Sequence, residues 1–176
     1  MKRRREKKAW VESIIEKYGL EPLSGEGGWY ARTYRSNEVI QKSALPKRYE
    51  SERVFGTAIY YLLTPETYSA LHRLPTDEIF HFYLGDPVTM LQLYPDGTNM
   101  TITLGQDILN NDHHLQTVVP WNTWQGTYLE AGGEFALLGA TMAPGFESID
   151  LELGDRDALI LKYPERKDLI FRLTAG

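Results

Sequence analysis

Four histidines, His72, His81, His113 and His114, are the only imidazoles in 176 residues, and there is no cysteine. Without thiols the chain has no disulfide framework, thiolate zinc site, iron-sulfur cluster or Cys nucleophile. Acid-base or metal chemistry must therefore be assembled from these rings with carboxylates, Tyr or Gln. The densest stretch runs from Ser69 to Gly85, S-A-L-H-R-L-P-T-D-E-I-F-H-F-Y-L-G, with His72 six residues before Glu78. If Glu78 points inward from a strand, alternation sends Phe80, Phe82 and Leu84 the same way and Ile79, His81 and Tyr83 to the other face. A carboxyl among aromatics has a raised pKa, and with His72 near enough to share its proton it is a candidate general acid or base. The plainer alternative is a buried Glu and His that only satisfy each other. A one-residue change of register would instead bring Asp77 and His81 inward, so His81 is a second-tier candidate.

About forty residues on, Pro120 to Gly126 reads P-W-N-T-W-Q-G, a Pro-led turn entering a strand. Gln125 cannot ionise, but its amide can donate and accept, which suits orienting a polar ligand. Trp124 beside it is either a pocket wall or core. Tyr30 and Arg32 lie two apart on an early strand, and with Tyr60 they suit an anionic or sugar-like ligand. The alternative for Arg32 is an ion pair with Glu26 or another acid. His113 and His114 follow Asn110, Asn111 and Asp112 and read as a solvated loop pair. His72 and Glu78 are thus the expected catalytic residues, with Gln125, Trp124, Tyr60, Arg32, Tyr30 and His81 expected to bind ligand.

These side chains need a scaffold. One helix is expected over Ala9 to Tyr18, where Trp10, Ile14, Ile15 and Tyr18 recur at helical spacing before Gly19. From Gly28 the pattern changes to short runs rich in Tyr, Thr, Val, Ile and Leu. The expected strands are Trp29 to Tyr34, Val54 to Leu63, Ser69 to Leu74, Glu78 to Leu84, Val88 to Tyr94, Asn99 to Leu104, Gln116 to Val119, Thr123 to Leu129, Phe135 to Thr141 and Ser148 to Leu153. Hairpin signals at Gly85-Asp86-Pro87, Pro95-Asp96-Gly97 and Ala131-Gly132-Gly133 make neighbouring strands antiparallel. A last helix is expected over Asp155 to Tyr163, with acids at its start and Lys162 at its end. The whole reads as an all-β sandwich or barrel with a helix at either end.

The composition bounds the partners. Hydrophobic residues make up 42% and aromatics 12%, which excludes disorder for the bulk of the chain, and the length fits one domain. Residues 1–8 hold six of the 19 basic residues and one of the 24 acids, which leaves 13 basic and 23 acidic residues in the body. A formal −10 repels a phosphate backbone, so no nucleic-acid partner is expected. Residues 1–8 read as a basic, disordered terminus and 9–176 as a single domain. No apolar stretch follows the basic run, and the longest, Val54 to Leu63, is too short to span a bilayer, so a cytoplasmic protein without a membrane partner is expected. Apolar side chains on both faces of Val54 to Leu63 and Val88 to Tyr94 predict a homodimer.

The two central segments resemble the paired motifs of the cupin superfamily of small jelly-roll barrels. His72, Glu78 and Gly85 fall on positions of the first motif. Leu74 stands where that motif has its second His, Asn122 where the second motif has Gly, and Gln125 where it has His. The strings E-G-G-W-Y-A-R-T-Y-R-S from Glu26, T-A-I-Y-Y-L-L from Thr57, H-R-L-P-T-D-E-I-F-H-F-Y-L-G-D-P from His72, V-P-W-N-T-W-Q-G from Val119 and A-P-G-F from Ala143 are similar to the uncharacterised cupin family five, in which Leu and Gln at those positions are usual. Ser24 and Gly25 replace a His-Pro that members often carry. The resemblance implies a double-stranded β-helix with short flanking helices. It further implies a small polar ligand in the barrel and, by analogy with metal-free cupins that epimerise sugars, isomerase-type chemistry without a cofactor. The alternatives are a weakly held divalent metal at His72 and Glu78, completed by Gln125 and water, or a non-catalytic binding or storage-like module.

Overall fold

The computed structural model describes residues 2–109 and 111–174, with the side chains of residues 2–9 outside the description. Of the expected disordered basic arm, residues 1–8, Met1 lies outside the description, while the backbone of 2–8 is helical, so the helix expected from Ala9 starts earlier. Helix α1 spans Lys2–Tyr18. Thirteen strands follow among the described residues: β1 Glu21–Pro22, β2 Trp29–Arg35, β3 Val39–Ile40, β4 Arg53–Val54, β5 Thr57–Leu63, β6 Tyr68–Arg73, β7 Glu78–Gly85, β8 Val88–Leu93, β9 Asn99–Leu104, β10 Gln116–Val119, β11 Trp124–Leu129, β12 Ala136–Met142 and β13 Glu152–Leu153. Helices α2, Arg156–Lys162, and α3, Lys167–Arg172, close the chain.

The strands form an antiparallel six-stranded sheet, ordered β1-β2-β5-β12-β7-β10, and an antiparallel five-stranded sheet, ordered β13-β6-β11-β8-β9, with β3 and β4 as a separate ribbon. Between the sheets lies one core. The six-stranded sheet supplies Tyr61, Leu63, Phe80, Phe82 and Leu138, and the five-stranded sheet supplies Val88, Met90, Leu104 and Leu129. Strand alternation then leaves a second apolar set on each outer face. Leu62 and Leu137 pack under Val11, Ile14 and Ile15 of α1, while Leu71, Leu91 and Leu93 pack under Leu159, Tyr163, Ile170 and Leu173. The chain's own helices thus cover both of the two-sided strands, which removes the argument that those strands require a second copy.

Three details depart from the sequence reading. Trp10 stands 60% exposed, because Val11 rather than Trp10 joins Ile14 and Ile15 on the buried face of α1. The expected strand from Val54 breaks at Phe55 and Gly56, so that Val54 pairs with Val39 while Thr57 pairs with Arg35. Only Glu152 and Leu153 of the expected strand Ser148 to Leu153 are extended in a sheet; Ser148–Asp150 forms a 3-10 turn. Asp150 there meets Arg53, which is 1% exposed and also donates to the Ser51 and Glu52 carbonyls. The helix expected over Asp155 to Tyr163 is α2, with the Asp155 carboxylate accepting the Ala158 N–H at 2.9 Å, whereas α3 lies beyond the expected elements.

Candidate functional site

Register places the two motif segments side by side. On β6 His72 lies directly across from Gln125 of β11, and on β7 Glu78 is flanked by Val119 of β10 and Met142 of β12. Glu78, Phe80 and Phe82 are buried on the inner face, whereas Ile79 and His81 are only half-buried on the other. The inward register is therefore the one with Glu78. Asp77 turns away, its carboxylate accepting the Trp121 N–H at 2.7 Å.

His72 and Gln125 are each 1% exposed. The Gln125 amide nitrogen sits 2.7 Å from His72 Nε2 and 3.0 Å from Glu78 Oε2, while His72 Nδ1 is 2.8 Å from the Ala70 carbonyl. A neutral ring with its proton on Nδ1 satisfies these contacts: Nδ1 donates to Ala70, and Gln125 donates one N–H to His72 and the other to Glu78. Gln125 Oε1 has no partner among the described residues.

A third ionisable group, absent from the sequence expectation for this site, completes the cluster. Glu26 Oε1 lies 3.8 Å from His72 Nε2, as near as Glu78 Oε2 at 3.9 Å. Glu26 reaches the barrel because the following glycines make room for a tight approach. A Cβ on Gly27, whose φ is +95°, would stand 2.2 Å from the Tyr68 carbonyl oxygen. The Glu26 carbonyl accepts the Ala70 N–H at 2.7 Å, and Tyr61 donates its hydroxyl to the Gly27 carbonyl at 2.8 Å. The Glu-Gly-Gly string was visible in the sequence, but its carboxyl looked like a partner for Arg32. Two consecutive glycines before a strand were the signal that the backbone there must pack against another strand.

Electrostatics follow from this crowding. Burial alone pulls the His72 imidazole down, but the charge of Glu26, the nearness of Glu78 and the Ala70 carbonyl outweigh it and lift its pKa from 6.5 to about 9. Burial pushes the Glu26 carboxyl above its ordinary range, His72 opposes this, and Glu78 adds to it. When His72 takes its second proton, its Nε2–H needs an acceptor where Gln125 presents an amide nitrogen. Turning the amide over supplies one, since the unpartnered Oε1 then faces the ring.

The remaining expected site residues lie elsewhere. His81 is on the outer face of β7, 3.2 Å from Thr141 Oγ1 and 3.1 Å from Gln116 Nε2, stacked over Tyr83. Burial there lowers its pKa. Tyr60 also faces outward, against Tyr18 and Tyr83, because alternation on β5 turns Tyr61 into the barrel instead. Trp124 packs on the helical side, under the Arg73 guanidinium at 4.6 Å, as the neighbour of an inward Gln125 must. Arg32 is exposed on β2 opposite Ile59. Tyr30 packs against the inner core.

The motif departures have local causes as well. Asn122 adopts φ +61°, a left-handed conformation that glycine takes freely and Asn tolerates, and its N–H donates to the Leu74 carbonyl at 2.8 Å. Arg73 donates to its side-chain oxygen at 3.1 Å and to both oxygens of Glu152. Beside this lattice a groove of about 390 Å³ is lined by Arg48, Arg73, Trp121, Asn122, Asp150 and Glu152, among others. Its Arg73 belongs to the face of β6 opposite His72, so the groove is not the chamber that His72 faces.

Similarity to known proteins agrees with this geometry. The chain resembles protein SO0799 from Shewanella oneidensis at 32% identity and a TM-score of 0.80, over 94% of this chain and 97% of that one. It resembles a hypothetical protein from Leishmania major at 26% identity and a TM-score of 0.82, over 94% and 98%. The uncharacterized protein YML079W of Saccharomyces cerevisiae is 29% identical over 133 residues, which span 71% of this chain and 66%, just under two thirds, of that protein. The sequence profile of the Cupin superfamily (DUF985) matches residues 12–154, a stretch that holds both sheets and every member of the His72 cluster, and the chain belongs to that family.

Proposed function

We propose that this cupin binds a small polar metabolite in its barrel and moves a proton on it by metal-independent acid-base chemistry. One observation carries the reading: Glu26 and Glu78 each hold a carboxylate oxygen within 4 Å of His72 Nε2, beside the apolar core between the sheets. Three titratable groups in so little space are expensive to bury and are a common arrangement at sites of proton transfer. On ligand entry the Nε2–H of a protonated His72 would exchange the Gln125 oxygen for a ligand carbonyl oxygen, while a neighbouring carboxylate takes a proton from the adjacent carbon, as in enolisation. Gln125, touching both His72 and Glu78, would hold the two in register.

The donor set supports the metal-free form of this reading. Where metal-binding cupins have ligands, Leu74 brings no donor atom, and Gln125 offers only a neutral amide already held to His72 and Glu78. No cluster of three or more His, Cys, Asp or Glu among the described residues is arranged to hold a metal ion. Divalent transition metals generally require three or more firm ligands. Protein purified without added Zn, Mn, Fe or Ni salts is therefore expected to carry well under one metal per chain by plasma emission analysis. Near-unit occupancy after dialysis would favour the alternative, a metal at His72 and Glu78 completed by Gln125 and water.

Incubation with small hydroxycarbonyl compounds in D₂O tests the chemistry. Deuterium should enter the carbon next to the carbonyl, and Glu78→Gln, which keeps shape and an acceptor oxygen, should slow this by about 10²-fold or more. The same variant should melt at an equal or higher temperature, since a desolvated charge is removed. Early melting with unchanged exchange would make Glu78 a structural partner of His72. Exchange no faster than in buffer would sink the proposal.

A further inference from the structure

Within the His72 cluster, not all groups are equally accessible. His72 and Gln125 are sealed at 1% exposure, whereas the side chains of Glu26 and Glu78 remain 13% and 10% exposed. A ligand entering the barrel therefore meets carboxylate oxygens first. With His72 protonated the three ionised groups sum to −1, and with it neutral to −2. The nearest candidates to balance this charge are committed elsewhere: Arg53 is bound to Asp150, Ser51 and Glu52, and Arg73 to Glu152 and Asn122. Arg32, expected to receive an anion, lies exposed on β2.

Acceptors are in excess too. With His72 neutral, Gln125 spends its amide hydrogens on His72 and Glu78 and its buried carbonyl oxygen is an acceptor without a partner; with His72 protonated, that oxygen takes the ring N–H. Tyr61 spends its hydroxyl proton on the Gly27 carbonyl in either state. A ligand matched to this chamber brings several N–H donors and a positive charge, because a carboxylate or phosphate would face two like charges.

From this the geometry points to a small organic cation, a primary ammonium or amidinium next to the reacting carbonyl, as the ligand class of the His72 site. The inference rests on the reading of the barrel as a proton-transfer site and specifies its substrate. The ammonium would be held between Glu26 and Glu78, leaving the adjacent carbon beside the same carboxylates. An inorganic cation is disfavoured because Leu74 brings no donor atom where metal-binding cupins have a ligand.

Three compounds of one size separate the classes: aminoacetone, a cation; hydroxyacetone, neutral; and pyruvate, an anion. In titration calorimetry of the full chain at low salt, aminoacetone should bind at least tenfold tighter than hydroxyacetone, and pyruvate should give no heat. Glu26→Gln should weaken aminoacetone by tenfold or more while changing hydroxyacetone less than threefold, and Glu26→Asp should restore most of the loss; melting curves confirm that both variants are folded. Pyruvate or hydroxyacetone binding as tightly as aminoacetone, or no heat from 20 mM aminoacetone, overturns the inference. So does one Mn²⁺ per chain that excludes aminoacetone. The deuterium readout keeps the two proposals apart: aminoacetone that binds without exchange refutes the proton-transfer reading alone, and pyruvate that binds and exchanges refutes the cation alone.

Discussion

Asp150→Ala is expected to destabilise the protein by about 3–5 kcal/mol, the usual cost of leaving one member of a buried ion pair without its partner. Arg53 is 1% exposed and the Asp150 side chain 6% exposed, and Arg53 is held by Nε and Nη2 to Asp150 and by Nη1 to Ser51 and Glu52. Removing the carboxylate leaves a guanidinium in a site closed to water, with only backbone carbonyls and Ser51 to stabilise it. A double replacement, Arg53→Met with Asp150→Leu, should recover most of the loss, because it removes the charge as well as the pairing. Urea denaturation of the two variants measures both effects. A cost below about 1 kcal/mol for the single change would mean that water reaches Arg53.

Stability should also fall by about 3 kcal/mol between roughly pH 6.5 and pH 9, because each pKa unit corresponds to about 1.4 kcal/mol and His72 rises from 6.5 to about 9 on folding. A histidine whose folded pKa is raised contributes its full stabilisation below 6.5 and loses it as pH climbs through the folded value. Glu26 acts in the same direction, since its raised carboxyl makes the folded state bind more protons than the unfolded one above 4.5. Chemical denaturation at half-unit pH intervals should show this decline in the native protein and a much flatter profile in His72→Gln. A native profile that is flat from 6.5 to 9 would mean that His72 folds as the neutral ring.

Much of this arrangement is written in the sequence as alternation. His72 and Glu78 could be paired from spacing and from the family resemblance, and Gln125 followed from its motif position. What spacing could not settle was parity wherever both faces of a strand are apolar. In T-A-I-Y-Y-L-L either tyrosine could face the barrel, and only the pairing of β5 with β12 and β2 turns Tyr61 in and Tyr60 out. Trp124 shows the same difficulty from the other side: it is adjacent to a site residue and for that reason points away from the site. Glu26 was illegible for another reason, since it arrives on a loop whose path depends on where Tyr68 and Ala70 stand. Apolar side chains on both faces of β8 are met within the chain as well, where Ile170 of the helix Lys167–Arg172 and its neighbour Leu173 pack with Leu71, Leu91 and Leu93, an element that the sequence pattern does not mark.

The strand that carries His72 is closed by a segment made about a hundred residues later. The Leu71 N–H donates to the Leu173 carbonyl at 2.7 Å, and its own carbonyl accepts the Gly154 N–H at 2.7 Å. During synthesis, β6 and its histidine leave the ribosome about a hundred residues before the segment that completes their hydrogen bonds. Until then the edge of β6 is open and the outer Leu71, Leu91 and Leu93 are uncovered, features that make a nascent β protein prone to mispairing. The His72 cluster is therefore expected to become ordered late in a growing chain. Ribosome-bound chains arrested before Gly154 emerges should be held by chaperones and lack the titration of His72, and both properties should change together once Leu173 is free of the exit tunnel.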